Sequence, residues 1–165
     1  MSVEFNKDAS LRAAVLTVSD TRTEETDKSG RHIRQLLREN GHEPVRYAIV
    51  KDEQERISAA VAGWLEEDEI DVILITGGTG IARRDITIEA VELFFTKNIP
   101  GFGELFRYLS FAEDIGSKAM LSRATAGIAS DKLIFAMPGS RGAVDLAMRR
   151  LILPELAHLL FEIRK

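Results

Sequence analysis

The sequence predicts an α/β domain in which helices cover both faces of a mostly parallel sheet. Three observations carry that prediction. Short apolar runs rich in β-branched residues, Val72-Ile73-Leu74-Ile75-Thr76 above all, fit strands buried on both faces. Stretches with helical spacing of apolar residues alternate with them. No composition break, linker or repeat divides residues 1–165, so the alternation belongs to a single domain, with 1–10 as a flexible N-terminal segment.

In chain order, Ala13-Ala14-Val15-Leu16-Thr17-Val18 is a buried strand, followed by the polar stretch Ser19 to Asp27. Helix signals begin near Lys28 to Gly30 and continue through Ile33, Leu36 and Leu37, with Gly41 placed as a C-terminal cap glycine. Val45 to Val50 is the second strand. Ile57, Val61, Trp64 and Leu65 form the stripe of an amphipathic helix leading to the Val72–Thr76 strand. Asp85 to Lys97 reads as a helix with Asp85 at its N-terminus, broken by Pro100-Gly101-Phe102-Gly103. Helical spacing resumes from Glu104 to about Ala119, with a break near Ile115-Gly116. Ala124–Ala129 and Leu133–Met137 are strands joined by the hairpin-length Ser130-Asp131-Lys132, which makes one of them antiparallel to the rest. A helix from about Ala143, kinked at Pro154, completes the chain.

Ligands of open parallel sheets bind beyond the carboxyl ends of the strands. Four polar loops follow strands: Ser19-Asp20-Thr21, Lys51-Asp52-Glu53, Thr76 to Gly80, and Pro138 to Gly142. If their strands are parallel, the loops share one edge. The third is the most informative. Thr76-Gly77-Gly78-Thr79-Gly80 frees the backbone for positive φ and removes side chains from the approach path of a ligand. It is followed by Ile81-Ala82-Arg83-Arg84-Asp85, so strand, bare loop, charge and helix start suggest an anion site. The loop is neither a P-loop, which needs Gly-Lys, nor a dinucleotide loop, since Arg83 stands at the third glycine position.

Composition narrows the function classes. Net charge is −4, against bulk nucleic-acid binding. Cysteine is absent, excluding disulfides and thiolate metal sites. His32, His42 and His158 show no ligand spacing and no Ser-His-Asp arrangement stands out, against zinc or covalent hydrolysis. No signal-peptide core and no run near the ~20 apolar residues of a membrane span is seen, so a cytoplasmic protein is expected.

Asp52 and Asp85 are candidates for holding Mg²⁺ between carboxylates and phosphate oxygens. The plainer readings are a solvated acid for Asp52 and a helix cap, worth about 1 kcal/mol, for Asp85. Arg83, Arg84 and Arg141 suit phosphate clamping or plain solubility. Ser29-Gly30 opens a helix, Glu104 and Arg107 share a helix face, and Ser122-Arg123 ends a helix; each has a structural reading beside a ligand one. Phe94, Phe95, Phe102, Phe106, Tyr108 and Phe111 are assigned to core or subunit contacts.

Seven motifs together resemble the MoaB/MogA family of molybdenum cofactor biosynthesis proteins. They are Leu16-Thr17-Val18-Ser19-Asp20, Ser29-Gly30, Thr76 to Gly80, Arg83-Arg84-Asp85-Ile86-Thr87, Pro100-Gly101-Phe102-Gly103-Glu104, Leu121-Ser122-Arg123-Ala124 and Ala136-Met137-Pro138-Gly139-Ser140. Ala48-Ile49-Val50-Lys51, Leu109-Ser110-Phe111 and Phe135 to Ser140 resemble the MoaB branch, and Ile81 and Ile88 depart from the proline usual in the MogA branch. The resemblance implies a three-layer α/β/α fold with a mixed sheet and a pocket for molybdopterin. It implies that Thr76, Gly77, Gly78, Thr79, Gly80, Arg84, Glu104, Arg107, Ser122, Arg123, Pro138, Gly139 and Ser140 bind that substrate. Asp52 and Asp85 would be the catalytic pair holding Mg²⁺, and Ser19, Asp20, Ser29 and Gly30 would face ATP. The implied activity is adenylylation of molybdopterin with Mg-ATP in a homotrimer or homohexamer. The competing class is a non-catalytic molybdopterin-binding or scaffold protein of the MoaB type.

Overall fold

Successive strand residues of the computed structural model, which describes residues 4–165, point alternately into two apolar clusters. Ala13, Val15, Val72, Leu74, Leu133, Phe135 and Met137 face one side; Ala14, Leu16, Val18, Ile73, Ile75, Ile134 and Ala136 face the other. That period of two, with both faces apolar, is the pattern of a sheet covered on both sides.

The strands are β1 (Arg12–Val18), β2 (Glu43–Val50), β3 (Val72–Thr76), β4 (Lys97–Asn98), β5 (Thr125–Ala129) and β6 (Lys132–Met137), in spatial order β2-β1-β3-β6-β5-β4. β2, β1, β3 and β6 are mutually parallel, while β5 runs antiparallel to β6 and β4 antiparallel to β5. The β5–β6 hairpin turns through Ser130 and Asp131, both at positive φ (51° and 58°), as a tight two-residue turn requires. The main helices are α1 (Lys28–Glu39), α2 (Gln54–Leu65), α3 (Thr87–Glu92), α4 (Pro100–Ser110), α5 (Arg141–Ala147) and α6 (Leu153–Arg164). Ile33, Leu36 and Leu37 of α1, Phe102 and Phe106 of α4, Val144 of α5 and Leu156 of α6 pack on one face. Ile57 and Val61 of α2 with Ile88 and Val91 of α3 pack on the other, with Trp64 half-buried beside them. The three layers are thus as expected.

Three expectations are corrected. The helix expected over Asp85–Lys97 is only α3, Thr87–Glu92. The chain then leaves to pair with β5: Thr96 N–H donates to Ile128 O (2.7 Å) and Ile99 N–H to Ala126 O (2.8 Å). Backbone pairing along an otherwise open sheet edge outweighs local helix propensity here. Pro100-Gly101-Phe102-Gly103 begins α4 instead of breaking a helix, because proline suits the first turn, where its missing N–H has no partner to lose. The last helix starts at Arg141, capped by Ser140, whose Oγ accepts from Ala143 N–H.

The break near Gly116 is present: a π-helical turn over Phe111–Ile115 ends at Gly116, which has φ 63° and leads into a 3₁₀ turn, Gly116–Leu121. Another π turn, Met148–Ile152, separates α5 from α6, and Pro154 falls in the first turn of α6, where its missing N–H costs least. Of the segment expected to be flexible, residues 1–3 lie outside the described residues. Phe5 packs on His158 and Phe161, with ring centroids 5.3 and 5.7 Å apart.

Candidate functional site

Because β1, β2, β3 and β6 are parallel, the loops after all four emerge at one edge, and hydrogen bonds lock them together. Ser19 N–H donates to Val50 O (2.8 Å), and Asp52 N–H to Asp20 Oδ1 (3.1 Å). Thr76 Oγ1 donates to Pro138 O (3.0 Å), and Ser29 Oγ to Gly139 O (2.7 Å).

The glycine loop is shaped by protein neighbours. Gly77 and Gly78 have φ of 97° and 65°. A Cβ at Gly77 would overlap the Val18 carbonyl oxygen; one at Gly78 would overlap Thr87 Oγ1 and come within 2.8 Å of Asp52 Oδ1. At Gly80 it would lie 2.7 Å from Asp85 Oδ2. Thr87 holds the loop from α3, its N–H donating to Gly78 O (3.0 Å) and its Oγ1 to Gly77 O (2.8 Å). The glycines therefore let the loop close on β1, Asp52 and Asp85.

Charge concentrates beside this loop. Arg84 grips Asp20 through two hydrogen bonds, Nε to Oδ2 (2.6 Å) and Nη2 to Oδ1 (2.9 Å). Arg84 and the Asp52 amide hold the Asp20 carboxyl below its ordinary range. Asp52 moves the other way: burial raises it, and the charges of Asp20 and Asp85 add to the effect. Asp85 does not cap α3, where Ile86 holds the cap position; its Oδ2 accepts from Ala82 N–H (2.9 Å) and closes the turn after the loop.

Two cavities flank the loop. The smaller, about 310 Å³, is walled by Ser19, Thr21, Arg22, Asp27, Lys28, Ser29 and the Thr76-Gly77 and Gly139 backbone. Among the described residues neither the Arg22 nor the Lys28 side chain has a carboxylate partner. The larger, about 610 Å³, is lined by Asn98, Pro100, Glu104, Arg107, Met120 and Arg123, among others. Thr76 and Gly77 border the first; the second touches the loop only through Arg123, which hydrogen-bonds the Thr79 and Gly80 carbonyls.

The expected site residues divide accordingly. Ser19, Ser29, Thr76, Gly77 and Gly139 meet at the smaller cavity, while Glu104, Arg107 and Arg123 meet at the larger. Asp20, Asp52, Arg84 and Asp85 stand beside Gly78 and Gly80. Ser122 lies next to Arg123, and Pro138 and Ser140 flank Gly139, with Ser140 engaged as the α5 cap. Gly30 donates its N–H to Asp27 Oδ1 (3.0 Å), while a Cβ there would overlap Asp27 Oδ2. Arg83 and Arg141 are exposed.

Sequence reasoning missed Asp27. It is buried, caps α1, and accepts from Thr17 Oγ1 (2.6 Å) and Tyr47 OH (2.5 Å). Burial and that bond to Asp27 push the Tyr47 hydroxyl well above its ordinary pKa. Its signal was an aspartate three residues before Gly30 at a helix start, the spacing of an N-cap.

A family model described as "probable molybdopterin binding domain" matches residues 14–158. The chain belongs to this molybdenum cofactor biosynthesis family. Within the family it is 58% identical over 166 residues to molybdenum cofactor biosynthesis protein B of Staphylococcus aureus (strain COL), spanning 99% of this chain and 97% of that protein. The Bacillus cereus protein of the same name is 56% identical over 155 residues, spanning 94% and 92%. A crystal structure of a molybdenum cofactor biosynthesis protein B superposes with a TM-score of 0.93 at 55% identity, covering 95% of this chain and 98% of that one. The tungsten cofactor synthesizing protein MoaB from Pyrococcus furiosus gives 0.84 at 37%, covering 94% and 98%. The MoaB/MogA resemblance and the α/β fold read from the sequence are both borne out. Among the described residues, no helix is long and apolar enough to cross a membrane.

Proposed function

We propose that the chain binds molybdopterin and adenylylates its terminal phosphate with Mg-ATP, the nucleotide at the smaller cavity and the pterin at the larger. The observation that carries this reading is the placement of the Asp52 and Asp85 carboxylates against Gly78 and Gly80, in a loop whose start lines the smaller cavity and whose Thr79 and Gly80 carbonyls are held by Arg123 of the larger. The smaller offers Arg22, Lys28 and the hydroxyls of Ser19 and Thr21, suited to phosphate oxygens, while Ser29 Oγ is spent on Gly139 O. The larger offers a carboxylate, a guanidinium and an amide (Glu104, Arg107 and Asn98) against apolar Pro100 and Met120, suited to a flat ring edged with donors and acceptors.

The donor set fits Mg²⁺. Asp52 and Asp85 supply hard carboxylate oxygens, Asp52 Oδ1 standing beside Gly78 and Asp85 Oδ2 beside Gly80. When bound, the ion would neutralise phosphate charge. In the reaction, an oxygen of the pterin phosphate forms a bond to the α-phosphorus of ATP as the bond to pyrophosphate breaks. The chain's part is to align the two phosphates and balance their charge, which is where catalysis of such transfers resides.

A second reading, pterin binding without chemistry, is favoured by one observation: both oxygens of Asp20, expected to face ATP, are already taken by Arg84. Purified protein incubated with molybdopterin and Mg-ATP separates the readings. Adenylylated pterin and pyrophosphate in equal amounts support the transferase. Saturable pterin binding with no product establishes the second reading.

A further inference from the structure

The resemblance places Arg123 among the groups that touch substrate, but its guanidinium is engaged elsewhere. Nε donates to both Thr79 O and Gly80 O, each at 3.0 Å. Nη2 donates to Asp85 O at 3.1 Å and to Glu89 Oε1 at 2.9 Å, and Nη1 to Glu89 Oε2 at 3.0 Å. One planar group therefore ties the start of the turn, at 79 and 80, to its end, at 85. Glu89 on α3 fixes that plane by a two-pronged ion pair.

We infer that Arg123 is a positioning residue: with Glu89 it braces the backbone from Thr79 to Asp85 and so sets where the Asp85 carboxylate stands. This rests on the proposed transfer for its catalytic consequence, though not for its structural one. The geometry demands arginine. Three carbonyls and a carboxylate around one plane match the fixed fork of a guanidinium, whereas a lysine ammonium is a single point with three rotating donors. Among the described residues the Asp85 backbone has no other side-chain brace, though its neighbour Arg84 is tied to Asp20. Its Oδ2 bond to Ala82 N–H lies within the same turn, and its side chain rests on Gly80. Releasing the carbonyls of 79, 80 and 85 therefore leaves the Asp85 end of the turn tethered only through Arg84 and Asp20 and through Thr87, and free to shift between them. A displacement of about 1 Å at a reacting group costs about a hundredfold in rate.

Charge contact and bracing make opposite predictions for lysine. If Arg123 met a substrate anion by charge, Arg123→Lys would keep much of the effect and the loss would appear in KM. Bracing predicts that Arg123→Lys is nearly as impaired as Arg123→Gln, with the loss in kcat. Arg123→Lys, Arg123→Gln and Glu89→Gln are compared with the unaltered protein by amide hydrogen exchange over residues 79–85 and by steady-state adenylylation. The expected result is exchange faster by about tenfold or more in both Arg123 variants, and by less in Glu89→Gln, with exchange in β1 and β3 unchanged. With it goes a fall in kcat of about a hundredfold in Arg123→Lys at a pterin KM within about threefold of the unaltered value. Unchanged exchange over 79–85 overturns the inference, as does a raised KM at unchanged kcat that lysine restores. If the unaltered protein makes no product, the proposed transferase fails while the exchange result still decides the role of Arg123.

Discussion

Replacing three positive-φ glycines by alanine, one at a time, measures how far the loop is shaped by its own neighbours. Gly41, at φ 80°, ends α1 with nothing among the described residues within 4 Å of where a Cβ would stand, so Gly41→Ala carries only the left-handed backbone cost, about 1–2 kcal/mol. Gly78, at φ 65°, carries the same cost and more. Its Cβ would overlap Thr87 Oγ1, so that hydroxyl must turn away and give up its bond to Gly77 O, about 0.5–1.5 kcal/mol. Crowding against Asp52 Oδ1 and Val18 Cγ1 adds about 1 kcal/mol, giving about 2.5–4.5 kcal/mol in all. Gly77→Ala is the most severe, because the atom it would strike is the Val18 carbonyl of β1, and backbone in a sheet cannot rotate aside. With about 2–4 °C per kcal/mol for a chain of this size, Gly41→Ala lowers the melting midpoint by about 2–8 °C and Gly78→Ala by at least about 5 °C. All variants are melted at one protein concentration by circular dichroism. Thr87→Ala in the Gly78→Ala background makes the pair cost less than the sum of the singles by about 1 kcal/mol, since the clashing atom is gone. Equal midpoints for Gly41→Ala and Gly78→Ala, or a strictly additive double variant, would refute the packing argument and return the loop's glycines to ligand access alone.

Other expectations follow from the same geometry. Asp85→Asn keeps an acceptor for the Ala82 N–H, so its melting midpoint stays within about 2 °C while adenylylation falls about a hundredfold or more and pterin affinity holds; full activity would remove Asp85 from the chemistry. His42 is lowered by burial and its Nδ1 accepts from Leu11 N–H (3.1 Å), so the folded state favours neutral imidazole. Stability contributed by this residue is present above the ordinary histidine pKa of about 6.5 and is lost as pH falls below it, where the unfolded chain binds the extra proton; urea titrations from pH 7.5 to 5 should show that slope and lose it in His42→Gln. Asp71 is buried, accepts from Arg12 N–H (2.9 Å) and pairs with Arg164 (3.0 Å), so Asp71→Ala should cost about 2–4 kcal/mol, read as a denaturation midpoint; a change under about 0.5 kcal/mol would contradict it. Exposed Leu105, Tyr108, Phe111, Met120 and Leu121 lie within one stretch of chain, and light scattering at micromolar concentration should give a multiple of 18.3 kDa; the monomer mass would refute association.

The sequence by itself determined the layers. Buried parallel strands must be apolar on both faces, and amphipathic stripes such as Ile33-Leu36-Leu37 state which side of a helix is covered, so both can be read from spacing. It also located the four loops, because parallel strands send their C-terminal connections to one edge. The aromatic residues divided in a way spacing does not express: Phe102 and Phe106 are buried, whereas Phe111, on the π turn that continues α4, is largely exposed. Only the tertiary structure decided that residues 93–99 leave α3 for the sheet edge, since the competing partner, β5, lies some thirty residues away in sequence. Only it showed that Asp85 closes a turn instead of capping a helix, that Arg84 is held by Asp20, and that Arg123 grips the carbonyls of 79, 80 and 85. A residue's type states which bonds it can make; which of them it does make depends on groups brought near by folding, and those partners have no fixed spacing in the chain.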